Sequence, residues 1–328
     1  MLRVAVINDY MGIVPQVADW SALDGLANVT FYSDHIPDED AAAARLKTYD
    51  VIVAERDRTP FTRALIERLP QLKLLVTTGA VNWLIDLDAA KARGVTVCYT
   101  GGTPGAAPEL TWGLLLSLSR RIAWDHNTVQ AGGWQTALGV GLAGKTLGLV
   151  GLGHIGRTMV RYAKAFDMKT IAWSPNLTFE RAEAAGTTLA DLETVMQNSD
   201  FVSIHMVLAE STRGLIGAFE LALMKNTAYL INTSRGPLVD EKALIPALKA
   251  RAISGAGLDV FDTEPLPKDH PFRTLDNVVI TPHTGYITDE QYKVFFGEAV
   301  ENVLAFARGA PVRVMTENNM IAALKAES

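Results

Sequence analysis

Apolar residues along this chain fall into short runs rich in Val, Ile and Leu, bounded by polar or Gly-containing segments. Residues 4–7, 29–32, 51–54, 74–77 and 95–98 form one series of such runs. Their unbroken apolar character suits strands of a parallel sheet covered on both faces, where neither side of a strand meets water. Between them lie segments with helical periodicity, such as 60–68 and 87–93, the latter followed by Gly94 as a stop. A second series begins at 146–150 and continues through 168–173, 201–205, 228–232, 257–260 and 278–281. This alternation predicts an α/β protein built from two consecutive doubly wound units with parallel sheets. The Gly- and Pro-rich stretch 100–108 is the expected first crossing, and the helical pattern over 289–307 is placed to return the chain to the first unit. The expected division is residues 1–100 with 290–328 in one domain and 101–289 in the other.

Composition narrows the class. A chain of 328 residues exceeds one ordinary core, and 48% hydrophobic with 20% charged residues leaves no compositional sign of disorder. A net charge of −6 argues against a nucleic-acid partner, which needs clustered Lys and Arg. Cys98 is the single cysteine, which leaves no internal disulfide and no cysteine-based metal cluster. It fits a reducing compartment. The first apolar run stops at Asn8, too short for a secretory signal, and the stretch 110–118 is interrupted by Thr111, Gly113 and Ser117. A cytoplasmic protein with no membrane partner is the expectation.

The most specific local motif is Gly151-Leu152-Gly153-His154-Ile155-Gly156, directly after an apolar run and ahead of a helical pattern over 157–166. Each glycine has its own physical task. Gly151 permits the tight turn, Gly153 lets backbone approach a pyrophosphate, and Gly156 lets helix and strand pack closely. The helix start offers N–H groups and a positive dipole end to the phosphates. A purely structural glycine turn is the competing account, and the βαβ frame around the motif weighs against it. In such units the next strand ends in an acidic residue that binds the ribose 2′-hydroxyl and repels a 2′-phosphate. Here Ser174 occupies that place, with Arg181 a possible substitute partner, so both NAD and NADP stay open.

Charged residues also follow three later strands, where open α/β sheets bind ligands: Arg235, Glu264 and His283. Reduction of a 2-oxo acid needs a cation for the carboxylate, a proton donor for the developing alkoxide, and a partner for that donor. The planar fork of Arg binds a carboxylate bidentately. His is the usual acid/base near neutral pH, and a neighbouring Glu favours the charged form of such a group. Taken singly, Arg235 reads equally well as a surface cation, Glu264 as a solvated loop carboxylate, and His283 as a satisfied strand-end histidine. Their joint occurrence in one nucleotide-binding unit favours chemistry. The reaction predicted is hydride transfer between a nicotinamide cofactor and C2 of a small 2-oxo or 2-hydroxy acid.

At these residues the chain resembles the D-isomer-specific 2-hydroxyacid dehydrogenase family, over nearly its whole length. The stretches 142–148, 198–205 and 232–241 carry the likeness together with the Gly-rich turn and the three charged residues. The resemblance implies a Rossmann cofactor domain inserted into a flavodoxin-like substrate domain, in a homodimer. It implies that Arg235 binds the substrate, His283 donates the proton and Glu264 pairs with His283. Asp259 would hold the nicotinamide carboxamide, with a strand-end cap as its alternative. Thr233 and Met206 would line the cofactor cleft, and the backbone of His154 and Ile155 would meet the pyrophosphate. Backbone N–H groups at Gly79 and Ala80 would bind the substrate carboxylate. The chain departs from the family in that loop, with Val81 where a second Gly is common and Asn82-Trp83-Leu84 in place of a polar run. Trp83 reads as a specificity wall or as core, with core preferred. Formate-oxidising relatives carry Gln at the Glu264 position, so the pair present here points to hydroxyacid chemistry. A nucleotide-sensing corepressor of the same fold is the alternative function, and the lack of appended tails counts against it.

Overall fold

In a computed structural model that describes residues 1–327, the chain forms two compact units. The first comprises Met1–Pro104 and Ile287–Glu327, the second Gly105–Tyr286. Ser328, the last residue of the expected substrate domain, lies outside the described residues.

The first unit holds five strands, β1 (Leu2–Ile7), β2 (Ala27–Phe31), β3 (Val51–Ala54), β4 (Leu74–Thr77) and β5 (Thr96–Tyr99). All are parallel, in the flavodoxin-like order β2-β1-β3-β4-β5. β3 and β4 are buried along their whole length, whereas the edge strand β2 alternates between covered and open positions. Side-chain caps set the helix starts. Asp38, Thr62 and Asp86 accept the N–H groups of Ala41, Leu65 and Ala89, opening Glu39–Leu46, Arg63–Glu67 and Leu87–Ala92. The helix predicted over 60–68 therefore begins only at Arg63, while Phe61 instead donates its N–H to the Leu84 carbonyl at 2.8 Å. Gly94 sits at φ +70° and closes the Leu87–Ala92 helix, with the Val95 N–H reaching back to the Ala90 carbonyl at 2.8 Å. The helix Asp289–Ala307 belongs to this unit and buries Tyr292, Phe295, Phe296 and Val303.

The second unit holds β6 (Thr146–Val150), β7 (Lys169–Trp173), β8 (Thr188–Leu189), β9 (Phe201–Ile204), β10 (Tyr229–Asn232), β11 (Gly255–Leu258) and β12 (Val278–Ile280). They too are parallel, ordered β12-β11-β10-β9-β6-β7-β8. Counted from β6, this is the Rossmann order with one more strand on the far edge. β8 was not expected from the pattern, because two residues carry no periodicity. The direction of winding reverses between β6 and β9, with Val150 opposite Ile204. That is where a nucleotide-binding crevice opens in such sheets.

Candidate active site

The Gly-rich turn leaves β6 and enters the helix His154–Ala165. Gly151 has φ +104°, and a Cβ there would collide with the His205 carbonyl and sit 3.2 Å from Met206 Sδ. Only glycine lets the turn pass so close to the end of β9. A Cβ on Gly156 would strike the Gly151 carbonyl, so helix and turn pack backbone to backbone. Gly153 is the N-cap and offers no side chain to the first turn. A positive helix end left without a side-chain cap beside a glycine-lined turn fits a dinucleotide pyrophosphate. His154 and Ile155 are the first two helical residues, and Met206 flanks the turn. His205 sits beneath, half-buried, with its Nδ1 shielded from solvent. Burial pushes its pKa down to about 3, and Ser203 Oγ lies 2.9 Å from its Nε2, so the ring is neutral.

β7 ends at Trp173, and Ser174 opens the following turn, its carbonyl accepting the Leu177 N–H. Arg181 reaches back to this turn and donates to the Asn176 carbonyl at 3.2 Å. A cation thus stands on the same turn as Ser174.

At the carboxyl end of β10, the buried Asn232 side chain shapes the next residues, donating to the Arg235 carbonyl at 2.9 Å and accepting the Ser234 N–H at 3.1 Å. Thr233 is buried, with its hydroxyl 2.7 Å from that of Thr111 on the helix Ala106–Ser119. After β11 the chain turns back at once, and Glu264 Oε1 accepts the Phe261 N–H at 2.9 Å. Its other oxygen lies 2.5 Å from His283 Nδ1. The carboxylate therefore holds the Nδ1 proton and leaves Nε2 as the nitrogen available for exchange.

His283 has φ +53°, a strained value for a residue with a Cβ. Asp259 supplies the restraint. Its Oδ1 accepts the Thr281 hydroxyl at 2.6 Å and the Thr284 N–H at 2.8 Å, and Oδ2 accepts the Gly285 N–H at 2.8 Å. The His283 N–H goes to the Asp259 carbonyl at 2.8 Å. Burial pushes the Asp259 carboxyl above its ordinary range, although these bonds and His283 oppose the shift. In geometry Asp259 is a brace for the loop that carries His283. Tyr286 meets the His283 ring edge-on at 5.7 Å.

Gly79 and Ala80 lie in the first unit, after β4, while every other candidate lies in the second. Gly79 has φ +89°, and its N–H is already donated to Thr100 Oγ1 at 2.9 Å. The Arg56 guanidinium fills the space over its α carbon. Of this pair, the Gly79 amide is therefore already spent within the first unit. Asn82 is buried and ties the loop down, donating to the Arg56 carbonyl and to Thr77 Oγ1, each at 2.9 Å. Trp83 is not core: it is 52% exposed, because the inward position of the loop belongs to Asn82. The sequence offered no signal for Arg56 or Asn82. Among the described residues no cluster of His, Cys, Asp or Glu could hold a metal, and no helix is long and apolar enough to cross a membrane.

Residues 112–285 match the family described as "D-isomer specific 2-hydroxyacid dehydrogenase, NAD binding domain". The chain is 41% identical over 260 residues to a glyoxylate reductase of Thermococcus litoralis, covering 75% of this chain and 77% of that one. It is 40% identical over 269 residues to a D-3-phosphoglycerate dehydrogenase of Methanocaldococcus jannaschii, covering 81% of this chain but only 51% of that protein. The chain thus spans about half the length of that relative. A crystal structure of a phosphoglycerate oxidoreductase from Vibrio cholerae superposes with a TM-score of 0.89 at 35% identity, over 94% of this chain and all of that one.

Proposed function

Since the chain belongs to the D-isomer-specific 2-hydroxyacid dehydrogenase family, whose members are nicotinamide-dependent oxidoreductases, we propose that it reversibly reduces a small 2-oxo acid to the D-2-hydroxy acid. A nicotinamide nucleotide bound at the Gly151–Gly156 turn would supply the hydride. The chain's own residues do the rest. Arg235 grips the carboxylate and carbonyl oxygen and stabilises the growing negative charge. His283 Nε2 gives its proton to that oxygen, and in the reverse direction takes it back. Glu264 keeps the ring oriented. Asp259 holds the His283 loop and would also meet the nicotinamide carboxamide, with Thr233 and Met206 beside the cofactor. The second unit is then the nucleotide domain. The first is the substrate domain.

The observation that carries this reading is the 2.5 Å contact between His283 Nδ1 and a Glu264 carboxylate whose second oxygen is anchored on backbone. A solvated loop carboxylate has no reason for two such fixed bonds. Relatives named glyoxylate reductase and phosphoglycerate dehydrogenase point to short or phosphorylated 2-oxo acids. Ser174, with Arg181 on its turn, supports use of NADPH as well as NADH. The helix Ile122–Gln130 buries none of its residues, and Trp134 and Leu138 beyond it are 73% and 95% exposed, which supports a homodimer covering this segment. A buried lone Cys98 suits a cytoplasmic setting.

The test is oxidation of NADH and of NADPH with glyoxylate, hydroxypyruvate and longer 2-oxo acids. Steady turnover with at least one acid is expected. Binding of nucleotide without turnover on any of them would sink the reading.

A further inference from the structure

A second His–Glu pair lies in the same unit and takes no part in the proton transfer described above. His270 Nε2 is 3.2 Å from Glu241 Oε2, and both side chains are largely buried. His270 Nδ1 accepts the Phe272 N–H at 3.3 Å, so the ring carries its proton on Nε2 and donates it to Glu241. The other oxygen of Glu241 accepts the Asp262 N–H at 3.0 Å.

That N–H belongs to the turn that carries Glu264, from which Glu264 reaches His283 and against which the neighbour of Arg235 packs. Phe261 holds Glu264 Oε1, and Glu264 Oε2 meets His283. Gly236, next to Arg235, packs so tightly on Phe261 and Asp262 that a Cβ would overlap their backbone. Arg273 pins the far side of the loop through the Leu266 and Pro267 carbonyls, at 2.7 and 2.8 Å. Between Phe261 and Glu264 there is no regular secondary structure to keep the turn in shape. Glu241 is also the anchor in an acidic corner. Burial, then Glu241 and Asp240, push the Asp262 carboxyl up, against the pull of Arg213 and His270. The His270 N–H gives the Glu241 carboxylate a fixed partner there, so that its second oxygen stays on Asp262.

We propose that Glu241 and His270 are positioning residues that hold the 261–264 turn through the Asp262 N–H and so keep Glu264 on His283. This rests on the reading of His283 and Glu264 as the proton-transfer pair. Displacement of a positioned group by about 1 Å can lower turnover by about 10²-fold.

Glu241→Ala, Glu241→Gln, His270→Ala and His283→Ala, each in the full chain, test the proposal. Glu241→Ala is expected to lower kcat for 2-oxo acid reduction by about tenfold or more, with KM for acid and nucleotide within about twofold. Glu241→Gln keeps an acceptor for the Asp262 N–H but turns its NH2 on the His270 N–H, so it should recover part of that loss, and His270→Ala should also fall between wild type and Glu241→Ala. In the nucleotide-free protein, the His283 Nδ1 proton resonance is expected far downfield, because of the short bond to Glu264. It should move upfield in Glu241→Ala and move less in Glu241→Gln. An unchanged kcat and resonance in Glu241→Ala, or a Gln variant as damaged as the Ala variant, overturns the proposal. If Glu241→Ala does not fold, unchanged kcat and resonance in His270→Ala overturn it instead. Full activity in His283→Ala would mean that the proton-transfer reading itself has failed. An inactive His283→Ala beside a fully active Glu241→Ala removes only the positioning role.

Discussion

The two sheets are built alike at their amino edges and differently at their carboxyl edges. Just before β3, Asp50 accepts the Arg3 N–H from β1 and the Lys73 ammonium from the residue leading into β4, both at 2.9 Å. Just before β9, Asp200 accepts the Thr146 N–H from β6 at 2.9 Å and the Lys225 ammonium at 3.0 Å, from the segment leading into β10. The same device thus ties three neighbouring strands in each unit. Burial pushes both carboxyls up. At Asp50 the Lys73 and Arg3 bonds outweigh it, and at Asp200 the Thr146 and Lys225 bonds do, so both pKa values lie below the ordinary range.

At the carboxyl edges the likeness ends. In the first sheet Glu55 follows β3 and takes the Tyr292 hydroxyl at 2.5 Å and the Arg58 guanidinium at 3.1 Å, while Asn82 ties down the loop after β4. Side chains there are spent on holding loops. In the second sheet the equivalent ends present Arg235, Glu264 and His283. Ligands bind at carboxyl edges in such folds, so these edges diverge with the chemistry while the amino edges answer only to stability.

Substitutions can break this comparison. The largest effect is expected at the proton-transfer edge, where His283→Ala should lower kcat by about 10³-fold with the fold intact. Steady-state rates with circular dichroism check this, and a loss under tenfold would remove His283 from the chemistry. At the other carboxyl edge, Asn82→Ala removes bonds worth about 1 kcal/mol each and frees the loop. It should raise KM for the 2-oxo acid by about tenfold while kcat changes by less than about twofold. An effect mainly on kcat would erase the distinction between the two edges. Within the nucleotide unit, Ser174→Asp should bind the ribose 2′-hydroxyl and repel a 2′-phosphate, shifting the kcat/KM ratio toward NADH by about tenfold or more. An unmoved ratio would mean that the ribose lies elsewhere.

The smallest effects belong to the shared amino edges. Asp50→Asn and Asp200→Asn should each cost about 1 kcal/mol at pH 7, seen as a lowered Tm. Both carboxyls have depressed pKa values in the folded state, so their contribution is complete above the unfolded value of about 3.9. It is lost as pH falls through the folded value, and calorimetry should find the gap between wild type and variant closing on acidification. A gap that persists in acid would mean the carboxylate charge is not what stabilises these edges.

Much of the architecture is legible in the chain, for reasons that are local. Unbroken apolar runs such as 51–54 and 74–77 mark strands covered on both faces, and β8 escapes because two residues show no period. The Gly151–Gly156 spacing announces its turn because each glycine answers a local steric demand. Helix starts are less legible: Thr62 moves one from 60 to Arg63 by a single capping bond. At the site, the types of the three charged residues and their places after strands could be read, but their mutual distances could not.

Strand and turn identity depends on neighbours a few residues away, and so the linear order of apolar, polar and glycine positions is enough to specify it. Partnerships over longer separations depend on which segments packing brings together within each unit. Thr100 claims the Gly79 amide from 21 residues away, and Asn82 takes the inward place that leaves Trp83 in solvent. Glu241 reaches Asp262 across a similar span, and nothing in the residues between them encodes that bond. A hydrogen bond forms only where two groups come within about 3 Å, and for such pairs it is packing that sets the distance.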